Sequence, residues 1–328
     1  QAEAEAVRDH VGVLDLPGFS RFDLSGPGAA AWLDARIAGR LPRAGRIGLA
    51  YFPDDKGRIV TEMSVMRTGP DAFTLITAAV AQAHDRDWLL RDLAPGLTLT
   101  DRTEDFGTLI VSGPASRALL APLTDGDLAL PWLTHQAAAF VGRPCRLVRV
   151  SFAGELGWEV HAAPADMPAI WDALVAGGAV PFGMFALNSL RVEKGYRAWK
   201  GDLSTDYTLL QGGLERFIDW GKDFRGKAAL AAEKQRGVTK RFVTLKVDSP
   251  GFDPPYMSTL WHGGAVAGEV TSASWGFRVG GCIALGMLRA DLAVPGTAVE
   301  VEVFGDRRPA VVLPDAPAWD PANERLRA

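Results

Sequence analysis

Cysteine is nearly missing from this chain. Two in 328 residues, Cys145 and Cys282, cannot make a disulfide framework or a cysteine-rich metal site. Both read as buried thiols, the usual place of free cysteine. The five histidines (His10, His84, His135, His161 and His262) are scattered without metal-ligand spacing. No apolar run approaches the roughly 20 residues that cross a bilayer; charges, Gly and Pro break each one. A basic excess is also lacking: 35 Lys and Arg against 39 Asp and Glu leave a net charge of −4. That balance argues against a nucleic-acid scaffold. No Gly-x-Gly-x-x-Gly turn joins a strand to a helix, so no flavin-binding half is expected within the chain. No Gly-x-Ser-x-Gly elbow exists. The chain opens on Gln1-Ala2-Glu3-Ala4-Glu5, without an initiator Met or an apolar signal region. The expectation is a processed or trimmed chain, or the C-terminal part of a larger one.

What is present is apolar enough for a large core. Hydrophobic residues make up 48% and charged ones 23%, sufficient for two or three domains. Phe22-Asp23-Leu24-Ser25-Gly26-Pro27 leads into a helix predicted over 28–37. Leu109-Ile110-Val111-Ser112-Gly113-Pro114 leads into another over 115–123. This repeat of strand, Ser-Gly-Pro turn and helix predicts two related α+β units, with Pro just inside each helix start. A third such unit is predicted from 146 through the Gly154–Gly157 turn into a helix over 165–175. A strand is predicted over 72–77, and helices over 80–93 and 184–196. After Lys227 the texture changes. Short strands over 242–247, 265–271, 282–287, 298–303 and 310–313 predict a small β-barrel or sandwich. The boundary falls at 232–240, giving one region over 1–232 and a barrel over 238–328.

Two segments carry candidate chemistry. The first runs Arg149-Val150-Ser151-Phe152-Ala153-Gly154-Glu155-Leu156-Gly157-Trp158-Glu159-Val160 and reads as strand, tight turn, strand. Glu159 lies between Trp158 and Val160. A carboxylate there either faces water or is kept to hold the polar edge of a ligand. The second runs Asp54-Asp55-Lys56-Gly57-Arg58-Ile59-Val60-Thr61-Glu62-Met63-Ser64-Val65 and reads as a hairpin. Glu62 sits amid apolar residues, and Ser64 shares its side of the strand. Pointing to solvent is the alternative for Glu62.

The segment around Glu159 resembles the folate-binding module of the glycine-cleavage T-protein family. That module also forms the C-terminal half of dimethylglycine and sarcosine dehydrogenases. The resemblance spans nearly the whole chain in the family's order. Val11-Gly12-Val13-Leu14-Asp15-Leu16 looks like the family's opening strand, and Ser25-Gly26-Pro27-Gly28 like its first strand-to-helix turn. Leu190-Arg191-Val192-Glu193-Lys194-Gly195-Tyr196-Arg197-Ala198-Trp199 and residues 223–230 resemble the dehydrogenase branch. Gly268-Glu269-Val270-Thr271-Ser272 matches a strand of the terminal barrel. The Lys-Gly-Cys-Tyr motif of the related iron–sulfur maintenance proteins is absent.

The resemblance implies a T-protein-like α+β fold: two related α+β units around a central cavity, plus a C-terminal β-barrel. It implies tetrahydrofolate as cofactor and an aminomethyltransferase-like enzyme. That enzyme would capture formaldehyde or an iminium from N-methyl amine oxidation, giving 5,10-methylenetetrahydrofolate. A flavin-dependent amine oxidase or dehydrogenase, as a chain or domain, would be the partner. No nucleic acid or membrane partner is expected, and the location would be cytoplasmic or an organellar matrix. Glu62 matches the second acid of a paired-acid motif and would be catalytic, worth roughly 100- to 10,000-fold in rate. Glu159 would accept two pterin N–H bonds. Leu49 and Ser64 would line the same cavity, with plain core packing the alternative for Leu49. Tyr196 and Trp199 match aromatic positions, again with core packing as the alternative. Leu187 stands where T-proteins carry Arg and the dehydrogenase branch an apolar residue.

Three positions depart from the family pattern. Phe152 replaces a usual Tyr, keeping the stacking face and losing a hydroxyl, at a cost of about 1 kcal/mol in affinity. Lys200 replaces a usual Gly, and Gln211 a usual Glu. Arg191 and Glu193 would pair on their helix, orient the site or lie on the surface. Two other readings remain open: a tetrahydrofolate-dependent demethylase acting on an S-, N- or O-methyl donor, and a non-catalytic folate-binding subunit.

Overall fold

The computed structural model describes all 328 residues, as two open sheets and one closed barrel. The first sheet has the order β3 (Ile47–Pro53), β4 (Ile59–Gly69), β5 (Ala72–Ala78), β2 (Phe19–Ser25), β6 (Thr98–Asp101). The second has the order β11 (Val180–Pro181), β1 (Gly12–Asp15), β7 (Gly107–Ser112), β10 (Gly157–Ala162), β9 (Arg143–Val148), β8 (His135–Phe140). All neighbours are antiparallel except β1 and β11. The barrel closes in the order β12 (Lys240–Val247), β15 (Gly281–Arg289), β14 (Ala265–Gly276), β13 (Thr259–His262), β16 (Ala298–Val303), β17 (Asp306–Val312). The helices are α1 (Ala2–Asp9), α2 (Ala29–Asp34), α3 (Gln82–Arg91), α4 (Ser116–Leu120), α5 (Met167–Ala176), α6 (Met184–Glu193), α7 (Lys227–Arg236) and α8 (Glu324–Arg327). None is long and apolar enough to cross a membrane.

Alternation with a period of two gives each open sheet an outer and an inner face. On the outer face of the first, Phe22, Leu24, Phe52, Met63, Val65 and Phe73 pack under Trp32 and Leu33 of α2 and Trp88 and Leu89 of α3. On the outer face of the second, Val13, Leu109, Val111, Trp158 and Val160 pack under Ile170 and Leu174 of α5. Each such side chain contributes roughly 1.5–3 kcal/mol on burial. The inner faces are turned toward each other. Ile47 and Met66 from the first sheet and Val148 from the second form one buried cluster.

The repeated Ser-Gly-Pro turn is real, and its glycines show why. Gly26 and Gly113 have φ of 124° and 135°, and a Cβ on either would lie 2.3 Å from a backbone carbonyl oxygen. Only glycine tolerates both conditions. Pro27 and Pro114, however, precede their helices rather than opening them.

Four further expectations are corrected. The predicted third unit is not separate: β9 and β10 join β7 and β1 in one sheet, because β10 pairs with β7 along its whole length. The strand before the Gly154 turn ends at Val148, and residues 149–156 form an irregular loop. A barrel strand, β13, was not anticipated, since four residues carry too little alternation to read. The helix over 184–196 stops at Glu193, where Gly195 takes a φ of 64°. After β17 the chain leaves the barrel. Arg325 of α8 pairs with Glu155, and Arg149 donates to the Leu326 and Ala328 carbonyls, so the last residues clasp the loop beside the second sheet.

Candidate functional site

The candidate site lies on the inner face of the first sheet. Across β3 and β4, Tyr51 stands opposite Glu62 and Leu49 opposite Ser64; Ser64 also stands opposite Ile76 of β5. All of these therefore share one face. The preceding residue, Thr61, points the other way and donates to the buried carboxylate of Asp85 at 2.8 Å. An acid at position 61 would meet that carboxylate, which explains why the first member of the paired-acid motif is Thr here.

Glu62 is half-buried, not turned to open solvent. Desolvation raises its pKa from 4.5 to about 7, against hydrogen bonding from the Tyr51 hydroxyl and the positive charge of Arg197; Asp202 pushes it further up. Tyr51 is 2% exposed, and its own pKa is driven well up by burial and by the facing carboxylate. Asp202 is fully buried, accepting from Arg191 at 2.5 Å, Thr271 at 2.6 Å and the Ala198 N–H at 2.8 Å. Arg197 is anchored by the Gly212 carbonyl at 2.8 Å and lies over the Phe242 ring. Tyr51, Arg197 and Asp202 were missed by sequence reasoning. Of the three, only Tyr51 carried a signal, as the cross-strand partner of Glu62.

The second sheet brings Glu159 to its inner face. Glu159 stands opposite Val148 of β9, which packs on Met66 of the first sheet. Its Oε2 accepts from His161 Nε2 at 2.8 Å, while Oε1 accepts no hydrogen bond. Burial lowers the pKa of His161, against the hydrogen bond and charge of Glu159, which raise it. Phe152 and Tyr196 come together, ring centroids 6.0 Å apart and nearly parallel, with Phe152 37% exposed. Burial pushes the Tyr196 hydroxyl up to about 12.

The other expected residues are distributed as follows. Leu49 is 41% exposed on the inner face, so it is not core. Ser64 is half-buried beside it. Trp199 is half-buried against the cluster of Tyr51, Leu203 and Leu209, with its Nε1 donor unpartnered. Leu187 is buried with Ile110, Ala153 and Leu190, beneath the site. Lys200 has a φ of 68°, the conformation that favours the Gly it replaces, and its ammonium lies 5.3 Å from the Trp199 ring. Gln211 closes a local turn, accepting from the Thr208 N–H at 3.0 Å. Arg191 and Glu193 neither pair with each other nor lie on the surface. Both are buried, Arg191 on Asp202 and Glu193 on Arg8 at 2.7 Å.

Taken together, the inner faces and the loops beside them offer a free carboxylate oxygen, a stacked and partly open aromatic pair and a carboxylate titrating near neutrality. This donor set fits a folate: a flat ring with an N–H edge, and amine nitrogens from which protons must leave. Fold and site thus define a T-protein-type folate module. Residues 1–222 match the GCVT N-terminal domain, and residues 240–320 the glycine cleavage T-protein C-terminal barrel domain. The chain belongs to the glycine-cleavage T-protein family, a family of folate-dependent aminomethyltransferases that use tetrahydrofolate. It is 32% identical to human mitochondrial dimethylglycine dehydrogenase over 99% of its own length and 39% of that protein. The chain thus spans about two fifths of the dimethylglycine dehydrogenases it matches. It is 32% identical to the aminomethyltransferase of Picosynechococcus sp., covering 95% of this chain and 88% of that one. The glycine cleavage system aminomethyltransferase T of Bartonella henselae shares the fold, with a TM-score of 0.87 at 21% identity over 98% of this chain and 89% of that one.

Proposed function

We propose that this chain captures a one-carbon unit, as formaldehyde or an iminium, on tetrahydrofolate to give 5,10-methylenetetrahydrofolate. The observation that carries the reading is Glu62, desolvated and titrating near 7 on the inner face opposite Tyr51. Tetrahydrofolate supplies two nucleophilic nitrogens when bound. Glu159 holds the pterin edge through Oε1, and His161 keeps its other oxygen in place. Phe152 and Tyr196 present a flat face to the ring, and Leu49 and Ser64 shape the wall beside it. Glu62 accepts the proton released as a nitrogen bonds the carbon, while the formaldehyde oxygen leaves as water, or the amine of an iminium as free amine; the Tyr51 hydroxyl bond and the Arg197 charge steady the carboxylate. Closeness to dimethylglycine dehydrogenases, and the apolar Leu187, favour a donor made by oxidation of an N-methyl amine. A flavin-dependent amine dehydrogenase, as a chain or domain, is the partner in this reading.

Anaerobic mixing of the protein with tetrahydrofolate and formaldehyde tests it. The folate product is quantified beside Glu62→Gln. Turnover should fall roughly 100- to 10,000-fold while folate affinity changes little. Unchanged turnover in the variant sinks the role of Glu62. Formation of 5-methyltetrahydrofolate from a methyl donor, without a flavin partner, would replace the reading with demethylation.

A further inference from the structure

A second polar cavity, of about 300 Å³, opens between the two sheets beyond Glu159. Its walls follow from the register. Arg21 of β2 stands opposite Ile76, and Asp23 opposite Thr74, so both lie on the inner face of the first sheet. On the second sheet, His161 of β10 stands opposite Arg146 of β9. Arg102, in the loop after β6, closes the rim.

Two guanidinium groups in this cavity lack a counter-ion. Arg21 is 3% exposed; it donates to the Phe106 carbonyl and to the Thr108 hydroxyl, and its Nε has no partner. Arg146 is half-buried and donates only to His135 Nδ1, at 2.9 Å. Neither has a carboxylate oxygen within ion-pair distance, whereas Arg102 already pairs with Asp105 at 2.7 Å. Burial lowers the pKa of Arg21 and of Arg146, with Glu159 and Asp23 the acids acting on them from further off. Asp23 is itself engaged by the Thr74 hydroxyl at 2.7 Å. An unpaired buried cation is costly, and two facing one cavity are costlier still unless an anion joins them. Guanidinium forks suit a carboxylate or phosphate oxyanion.

We propose that this cavity binds one small oxyanion, a carboxylate or phosphate group, between Arg21 and Arg146, separately from the folate cleft. His161 is shared: it lines the cavity, and its Nε2 holds Glu159. The bound anion therefore sits one side chain away from the carboxylate assigned to the pterin.

Calorimetric titration of the full chain at low ionic strength and pH 7 tests this, with inorganic phosphate and malonate as separate probes. One saturable site is expected for at least one probe. Phosphate alone marks a phosphate group as the ligand, malonate alone a carboxylate. Arg146→Gln should weaken binding at least tenfold without moving the thermal midpoint of the free protein by more than a few degrees. Asp23→Asn, which keeps an acceptor for Thr74, should tighten it. Arg21→Gln should abolish it, and should that variant fail to fold, the other two decide. No saturable heat with either probe, or unaltered binding in Arg146→Gln, overturns the proposal. So does loss of phosphate binding on saturation with tetrahydrofolate, which would put the anion in the folate cleft itself.

Discussion

Glu62 holds its proton to about pH 7 because the fold takes it out of water without giving it a full ion pair. That has a cost in stability with a definite sign. The unfolded chain loses this proton near 4.5, while the folded chain keeps it to about 7. The folded state is thus favoured by this group at low pH, and the advantage is lost as pH rises from 4.5 to 7. Glu62→Gln removes the ionisation. The variant should match the unmodified protein near pH 4 and exceed it above pH 7, by on the order of 3 kcal/mol. Urea unfolding at both pH values reads this directly, and a variant no more stable at pH 8 would falsify the desolvation of Glu62. Stability gained where turnover is lost marks a group held for chemistry, not for the fold.

The element with most at stake is the loop over 149–156, between β9 and β10. Its Glu155 is 1% exposed and bonds Arg8 of α1 at 2.9 Å and Arg325 of α8 at 2.7 Å. Arg8 also bonds Glu193, at the end of α6, at 2.7 Å. One guanidinium thus ties α1, α6 and the loop that carries Phe152. Arg8→Met should cost about 3–5 kcal/mol, because it leaves two buried carboxylates short of their partner. The denaturation midpoint checks it; a loss under 1 kcal/mol would mean that water replaces the guanidinium. Phe152 rides on this loop, so folate affinity should fall with stability in the same variant.

For the whole molecule, the joint between barrel and sheets combines an apolar contact, Val192 of α6 against Phe242, Ile283 and Met287, with a polar cluster that passes through Asp202. Arg191 of α6 bonds Asp202 and also Ser272 of β14 at 2.7 Å, and Thr271 of β14 bonds Asp202. The barrel is thereby fixed to the same carboxylate that raises the pKa of Glu62. Asp202→Asn removes a negative charge near Glu62 while keeping an acceptor for Arg191. The pKa of Glu62 should fall, and with it the midpoint of the pH–rate profile, which rises as Glu62 ionises. A midpoint that stays put, or moves up, would dissociate the barrel joint from the site. Loosening should also show as unfolding transitions that no longer coincide when barrel and sheet signals are followed separately.

Much of this was legible in local pattern. Alternation placed Glu62 and Ser64 together, since a period of two is a property of the strand itself; Leu49 was suggested by the family resemblance alone. The Ser-Gly-Pro repeat marked two turns that glycine alone allows, and the short strands after Lys227 announced the barrel now seen. Whatever depended on partners distant in the chain was decided by tertiary structure. Arg191 and Glu193 look like surface charges on a helix until Asp202 and Arg8 are brought to them. Phe152 and Tyr196 lie 44 positions apart in the chain, yet they stack. Tyr51, Arg197 and Asp202 set the proton affinity of Glu62 from three different segments, and no spacing rule links them. Sequence sets which face a side chain takes, because that is backbone geometry. Packing alone sets which charge it meets there and how little water remains, and these decide whether a carboxylate titrates at 4.5 or near 7.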